Sequence, residues 1–297
     1  MLKLSNIRVR AFDIGYLAIA WDIEPCFESV GDYEFQILRA EAEFGPYVAV
    51  TPWFRNRTQV RDGSVKNWRS FYTRIYYRVV VRQRTDTTNT ATYPELGGAK
   101  LGALPDLVAL EMARQVNLTL KEFSGRQVWV FPRRRTGERC TTCIDPVRQR
   151  KTQSACRNCY DVGIVGGYDT PVRVWGQILS PDEQTRHTTV GSIETQDSLL
   201  RLGNYPELGA GDLVVEAENL RWRVGERIAK DRKARALVKQ NAPIHLVEKS
   251  DIEYFVPVNL AESDWFDLVA SPERNYTNPQ SMSSMSLTDA LRTVYSK

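Results

Sequence analysis

The 297 residues carry 40 Lys and Arg against 36 Asp and Glu, a formal net charge of +4, with 42% apolar and 26% charged side chains. That balance excludes a disordered or low-complexity chain, and the length allows two or three domains. Residues 1–8 lack the apolar core of a secretory signal, and no apolar run approaches the roughly 18 residues of a membrane span. The expectation is a soluble protein made in a cytoplasm, where thiols stay reduced and clustered cysteines act as metal ligands rather than disulfides.

Residues 1–98 alternate apolar and polar positions over 4–9, 16–21, 33–39 and 72–82, with Leu17, Ile19 and Trp21 on one face. Turn-forming residues at 29–32, 44–46 and 61–63 separate these runs, and the spacing predicts a β-sandwich. The segment 99–126 reads as a linker and helix. Leu107, Leu110, Ala113, Val116, Leu120 and Phe123 recur at spacings of three and four, which predicts a single apolar stripe packed on the protein's own domains. Pro105 near the start and Gly125 at the end fit helix punctuation.

A short strand at 127–131 leads into a cysteine-bearing module over 127–170. Strand patterns then return at 172–179, 212–216, 220–224, 244–247 and 252–258, which predicts a small β-barrel over 171–258. Residues 259–297 are rich in Ser, Asn, Pro and Thr and read as an extended C-terminal tail that orders against a partner. The fold class expected is therefore mostly β and multidomain: an N-terminal β-sandwich, a connecting helix, a small four-cysteine zinc module and a C-terminal small β-barrel.

The sharpest motif is Cys140-x2-Cys143-x12-Cys156-x2-Cys159. Each C-x2-C pair offers two thiolates from one tight turn, and two pairs complete a tetrahedral set suited to a structural Zn²⁺ with no open position. A rubredoxin-like iron, two disulfides or reduced thiols use the same residues. Cys26 lies apart and reads as a small buried apolar residue. Around the motif, residues 126–157 hold nine basic side chains (Arg126, Arg133, Arg134, Arg135, Arg139, Arg148, Arg150, Lys151, Arg157) against Glu138 and Asp145. Such a local field suits a polyanion, an acidic partner or a solvated face.

Catalytic patterns do not stand out. The two histidines, His187 and His245, neighbour no nucleophile motif, and Gly209-Ala210-Gly211 precedes a strand pattern rather than a helix. The expectation is a protein that is not an enzyme.

Two resemblances add to this. Trp21 and the run 77–81 resemble the core tryptophan and late tyrosine-led strand of fibronectin type III domains. Over 127–258, the cysteine pairs followed by 160–163, 166–171, 204–215, 221–224 and 250–258 resemble structural proteins of tailed phages. The hairpin 212–224 in particular is similar to the small barrel of head-closure proteins. The resemblance implies a structural virion protein of the neck, located in the virion after synthesis in a host cytoplasm. It implies a homo-oligomeric ring with a portal or adaptor above, a tail terminator or tail tube below, no membrane, and genome DNA passing through non-specifically. Loops at 180–196 or 229–242 would then line the channel, with Arg232, Lys233, Arg235 and Lys239 as the DNA-facing candidates. A baseplate or tail-tip adaptor and a zinc-ribbon nucleic-acid-binding factor are the alternatives.

Overall fold

The computed structural model describes residues 2–13, 16–24, 30–63, 75–102, 106–145, 147–148, 150–179, 182–188, 191–234, 236–258 and 264–265, with the backbone alone at 182–188, 191–197 and 264–265. Cys26, Arg235 and nearly all of the tail lie outside the described residues.

The first unit is built from two sheets. One is β1 (Leu4–Asp13), β2 (Tyr16–Ile23) and β5 (Gln59–Asp62), in that order. The other is β4 (Val48–Ala49), β3 (Tyr33–Ala40), β6 (Tyr76–Gln83) and β7 (Thr90–Tyr93), with β8 (Ala99–Lys100) also on β6. In β2 the side chains alternate strictly, so Leu17, Ile19, Trp21 and Ile23 are buried while their neighbours are not. Their partners across the core are Phe35, Ile37, Tyr77, Val79 and Val81 of the facing sheet. Trp21 and Phe35 meet with ring centres 5.7 Å apart. One polar cluster is sealed into this unit. Buried Asp62 accepts from the Tyr77 hydroxyl at 2.8 Å and from Arg39 at 2.9 Å. Burial, and then the neighbouring carboxylate, push the Tyr77 phenol far up, so it stays protonated and keeps donating.

The helix α1 (Leu107–Thr119) begins where the Asp106 carboxylate accepts from the Val108 N–H. It buries Ala109, Leu110 and Ala113, and packs on Ala11 and Ala236. The predicted stripe is only partly right. Leu110, Ala113 and Leu120 are buried, but Leu107 is exposed and Phe123 is 86% exposed. The last turn, Leu120–Ser124, winds as a π-helix, and its larger number of residues per turn moves Phe123 off the stripe. Gly125 ends it because a Cβ there would lie 2.2 Å from the Leu120 carbonyl oxygen.

The second unit is a closed barrel. Its staves are β9 (Arg126–Phe131), β10 (Val172–Ile178), β12 (Gly191–Leu202), β13 (Leu213–Glu216), β14 (Arg221–Val224) and β16 (Ala236–Leu246). They run in the order β12-β10-β9-β13-β14-β16, and β16 returns to pair with β12 from Asp197↔His245 to Leu202↔Gln240. Closure leaves these six strands without a free edge. Val128, Val130, Val174, Leu200, Leu202, Val214, Trp222, Val224, Ala242 and Ile244 fill the interior. Strand Arg126–Phe131, grouped by sequence with the cysteine module, is thus a barrel stave, and residues 132–171 are an insertion between β9 and β10.

Three further expectations change. Within the expected loop 180–196, residues 182–188 and 191–196 are strands, β11 (Asp182–Thr188) paired with β12 in a ribbon that runs beyond the barrel. Within 229–242, β15 (Ala229–Lys233) likewise pairs antiparallel with β16. Residues 252–258 are not a strand: Ile252–Phe255 is a 3₁₀ turn, which the buried Arg221 guanidinium holds by donating to the carbonyls of Glu253 and Val256, each at 2.9 Å. From the tail, β17 (Asp264–Trp265) adds to β10 in parallel.

The units meet directly. Phe12 of β1 stacks on Tyr205 with ring centres 4.8 Å apart, and Asn204 donates to the Phe12 carbonyl while accepting from Asn117 of the helix. Among the described residues no helix is long and apolar enough to cross a membrane.

Candidate metal centre

Residues 132–171 leave the barrel where Val130 faces Val172 across the sheet and hold few large aliphatic side chains. The insertion is organised by isolated bridges: Arg133 to Tyr168, Arg139 to Ile164, and Ile144 to Lys151. Its two tight turns carry the cysteine pairs. In the first, the Cys140 N–H donates to the Gly163 carbonyl at 3.0 Å and the Ile144 N–H closes back on Cys140. In the second, the Asp161 carboxylate accepts from the Cys156 N–H at 3.1 Å and is paired with Lys151 at 3.1 Å. Burial opposes ionisation of Asp161, but those two partners outweigh it and hold its carboxyl below the ordinary range.

The four sulfurs converge. All lie within 4.8 Å of one another and all four residues are buried. Cys140 and Cys156 sulfurs are 3.7 Å apart, and those of Cys143 and Cys159 are 3.3 Å apart. A disulfide needs about 2.05 Å, and the four are free thiols. Four thiolates at about 2.3 Å from a central metal stand about 3.8 Å apart at the corners of a tetrahedron, close to what is seen. The set therefore fits a metal ion. Among the described residues only Ile144 and Val165 pack beside the sulfurs, so apolar burial alone is a thin core for this stretch.

The thiols are unequal. Burial opposes ionisation of Cys140, but the backbone N–H groups of Cys143 and Thr142 outweigh it and bring that thiol down to about 7. Burial is the main cause that pushes Cys143 and Cys159 up. Four crowded sulfurs cannot all carry charge unless a cation sits among them, and a divalent metal supplies that charge.

No protein-family model matches the chain, and no curated protein matches it.

The DNA-facing candidates are not brought together as a bare cationic surface. Arg232 lies 2.8 Å from Glu207, and Lys239 is 3.2 Å from Asp231. The Lys233 ammonium lies near the Met112 sulfur at 3.8 Å. Arg235 is outside the described residues. Glu207 had drawn no notice in the sequence, yet it gathers Arg10, Lys230 and Arg232. These groups line an open cleft of about 650 Å³ between the sandwich and the barrel, together with Arg8, Arg133, Arg135 and Asp212. His245 is an exposed β16 residue, and the side chain of His187 lies outside the description.

Three groups hold this region in place through contacts that the sequence does not show. Arg134 bonds Asp169 at 2.8 Å, the Val165 carbonyl and Asn56 of the sandwich, which clamps the insertion to the first unit. Asp212 accepts from the backbone N–H groups of Arg133 and Gly209. Gln240, fully buried, bonds three backbone groups of the segment 203–208. Arg134 stands in the basic stretch and Asp212 opens an apolar strand after a Gly-Ala-Gly turn, but nothing local marks Gln240.

Proposed function

We propose that this chain is a structural, non-enzymatic protein of a tailed-phage virion, working in the neck as part of the ring that joins portal to tail and conducts the genome. The observation that carries the reading is the closed six-stranded barrel with the β11–β12 hairpin extending from it. Residues 191–196 of that hairpin pair only with β11 among the described residues. A two-stranded ribbon on its own is marginally stable in water. Laid against a neighbouring subunit it gains a partner, and contacts passed head to tail around an axis close into a ring.

The sandwich supports a fibronectin type III-like docking module, with β1-β2-β5 facing β4-β3-β6-β7. The four cysteines would hold Zn²⁺ in a structural role, since four thiolates leave no coordination position for a substrate. Elemental analysis of purified protein tests the ion, with one zinc per chain expected and an iron content of that size replacing it.

Immunogold labelling of purified particles tests the assignment. Label at the head–tail junction is expected. Label at the distal tail would move the protein to the baseplate, and absence from particles would overturn the virion reading.

A further inference from the structure

The nine basic residues of 126–157 form one field in the sequence, but the fold divides them. Arg126 pairs with Glu216 at 3.0 Å, Arg134 with Asp169 at 2.8 Å and Lys151 with Asp161 at 3.1 Å, while Arg135 lies 3.6 Å from Asp212. Of the two acids within this stretch, Glu138 has one carboxylate oxygen buried before the first cysteine, and Asp145 is turned onto its own hairpin, where one oxygen accepts from the N–H groups of Val147 and Arg148. At that hairpin tip Arg148 and Arg150 are exposed, as is Val147 at 87%. Neither arginine has an acidic partner among the described residues. Arg157, exposed in the second cysteine turn, lies 5.1 Å over the Phe255 ring and has no acidic partner there either.

We propose that the inter-pair hairpin of the cysteine module, through Arg148 and Arg150 with Arg157 beside them, binds the phosphodiester backbone of double-stranded nucleic acid without sequence preference. Guanidinium groups are suited to phosphate, and exposed Thr141, Thr142, Gln153 and Asn158 add the hydroxyl and amide donors that backbone contacts use. Base stacking is not on offer: the module's aromatics, Tyr160 and Tyr168, pack inward with Trp129 and Phe131. The tip hangs from the metal centre, because the Thr152 N–H donates to the Cys143 carbonyl at 2.8 Å. A bound metal thereby fixes where the arginines point. This relocates the nucleic-acid contact from the β15–β16 hairpin, where Arg232 and Lys239 already face carboxylates, to the insertion.

The test is fluorescence anisotropy of a labelled mixed-sequence duplex with the full-length, zinc-loaded protein over a salt series. For R148E/R150E the expected result is a loss of about tenfold or more in affinity and a log K against log [salt] slope shallower by about 2, near 0.9 for each lost phosphate contact. R232A/K239A should bind as the wild type does, and zinc content equal in all three proteins shows that the module is intact. An unchanged slope in R148E/R150E overturns the proposal. So does failure of the wild type to bind at low salt, or tighter binding of a single strand of equal length. The assay uses isolated protein, so its failure leaves the neck assignment standing, and a failed localisation leaves this site standing.

Discussion

Replacing Gln240 by leucine isolates one buried amide on which a whole loop depends. Gln240 is fully buried on β16; its carbonyl oxygen accepts the Leu208 N–H at 2.8 Å, and its amide donates to the carbonyls of Gly203 and Pro206 at 2.9 and 2.8 Å. Leucine is of similar bulk, so little cavity opens, but three backbone groups of a buried segment lose their side-chain partner. A buried polar group left unpaired costs about 1–3 kcal/mol. The segment 203–208 can shift to regain water, which holds the sum toward the low end, about 3 kcal/mol for the three groups. Urea denaturation followed by tryptophan fluorescence reads this as a lower midpoint at unchanged slope. Q240E adds a second reading. Its carboxylate still accepts from Leu208 but cannot donate to the two carbonyls, so it should be destabilised at neutral pH and partly recover in acid, when a protonated carboxyl regains one donor. A Q240L protein within about 0.5 kcal/mol of wild type, a surface-like value, would refute the claim that this amide anchors the loop bearing Glu207.

Three other outcomes are expected. Cys143→Ser should abolish stoichiometric metal binding and melt the insertion, and acidification of the wild type should release the ion as protons displace it from the thiolates; elemental analysis and a chromogenic chelator read both. Burial lifts the Asp212 carboxyl from the ordinary aspartate range to about 6, against the backbone N–H groups of Arg133 and Gly209 that favour its charge. The folded state therefore holds an extra proton between about pH 4 and 6, and this group's contribution to stability falls as pH rises through that window, by about 3 kcal/mol. The stability advantage of wild type over Asp212→Ala should shrink between those limits, and parallel curves would count against it. Trp222→Ala should cost about 3–5 kcal/mol, since the indole fills the barrel and its N–H is bonded to Glu216; denaturation of a soluble variant at the wild-type midpoint would contradict this.

What the sequence disclosed depended on the range of each interaction. Cys140, Cys143, Cys156 and Cys159 were legible because two residues of spacing suffice to define each turn. Alternation at Leu17, Ile19 and Trp21 was legible for the same reason, as was the hairpin of β13 and β14. Strand Arg126–Phe131 was assigned to the wrong neighbour because its partners include Val172 and Leu213, far along the chain, and no local pattern records them. Phe123 sat at a correct helical spacing until the π turn changed the pitch. Pairing was not legible either: Arg232 reads as a free charge until Glu207, 25 positions away, is folded against it.

The chain leaves the barrel after β9 and re-enters at β10 within a single interstrand gap, about 4.8 Å, with Val130 and Val172 in register on either side. The cysteine insertion is therefore a cassette plugged into an otherwise ordinary hairpin. A short turn in its place should still let the barrel close, with Trp129 and Phe131 losing the cover of Tyr160 and Tyr168. The bonds from Arg134 to Asn56 and from Thr58 to Asp169 would be forfeited, so a cassette-less chain should keep its barrel and lose rigidity between its two halves.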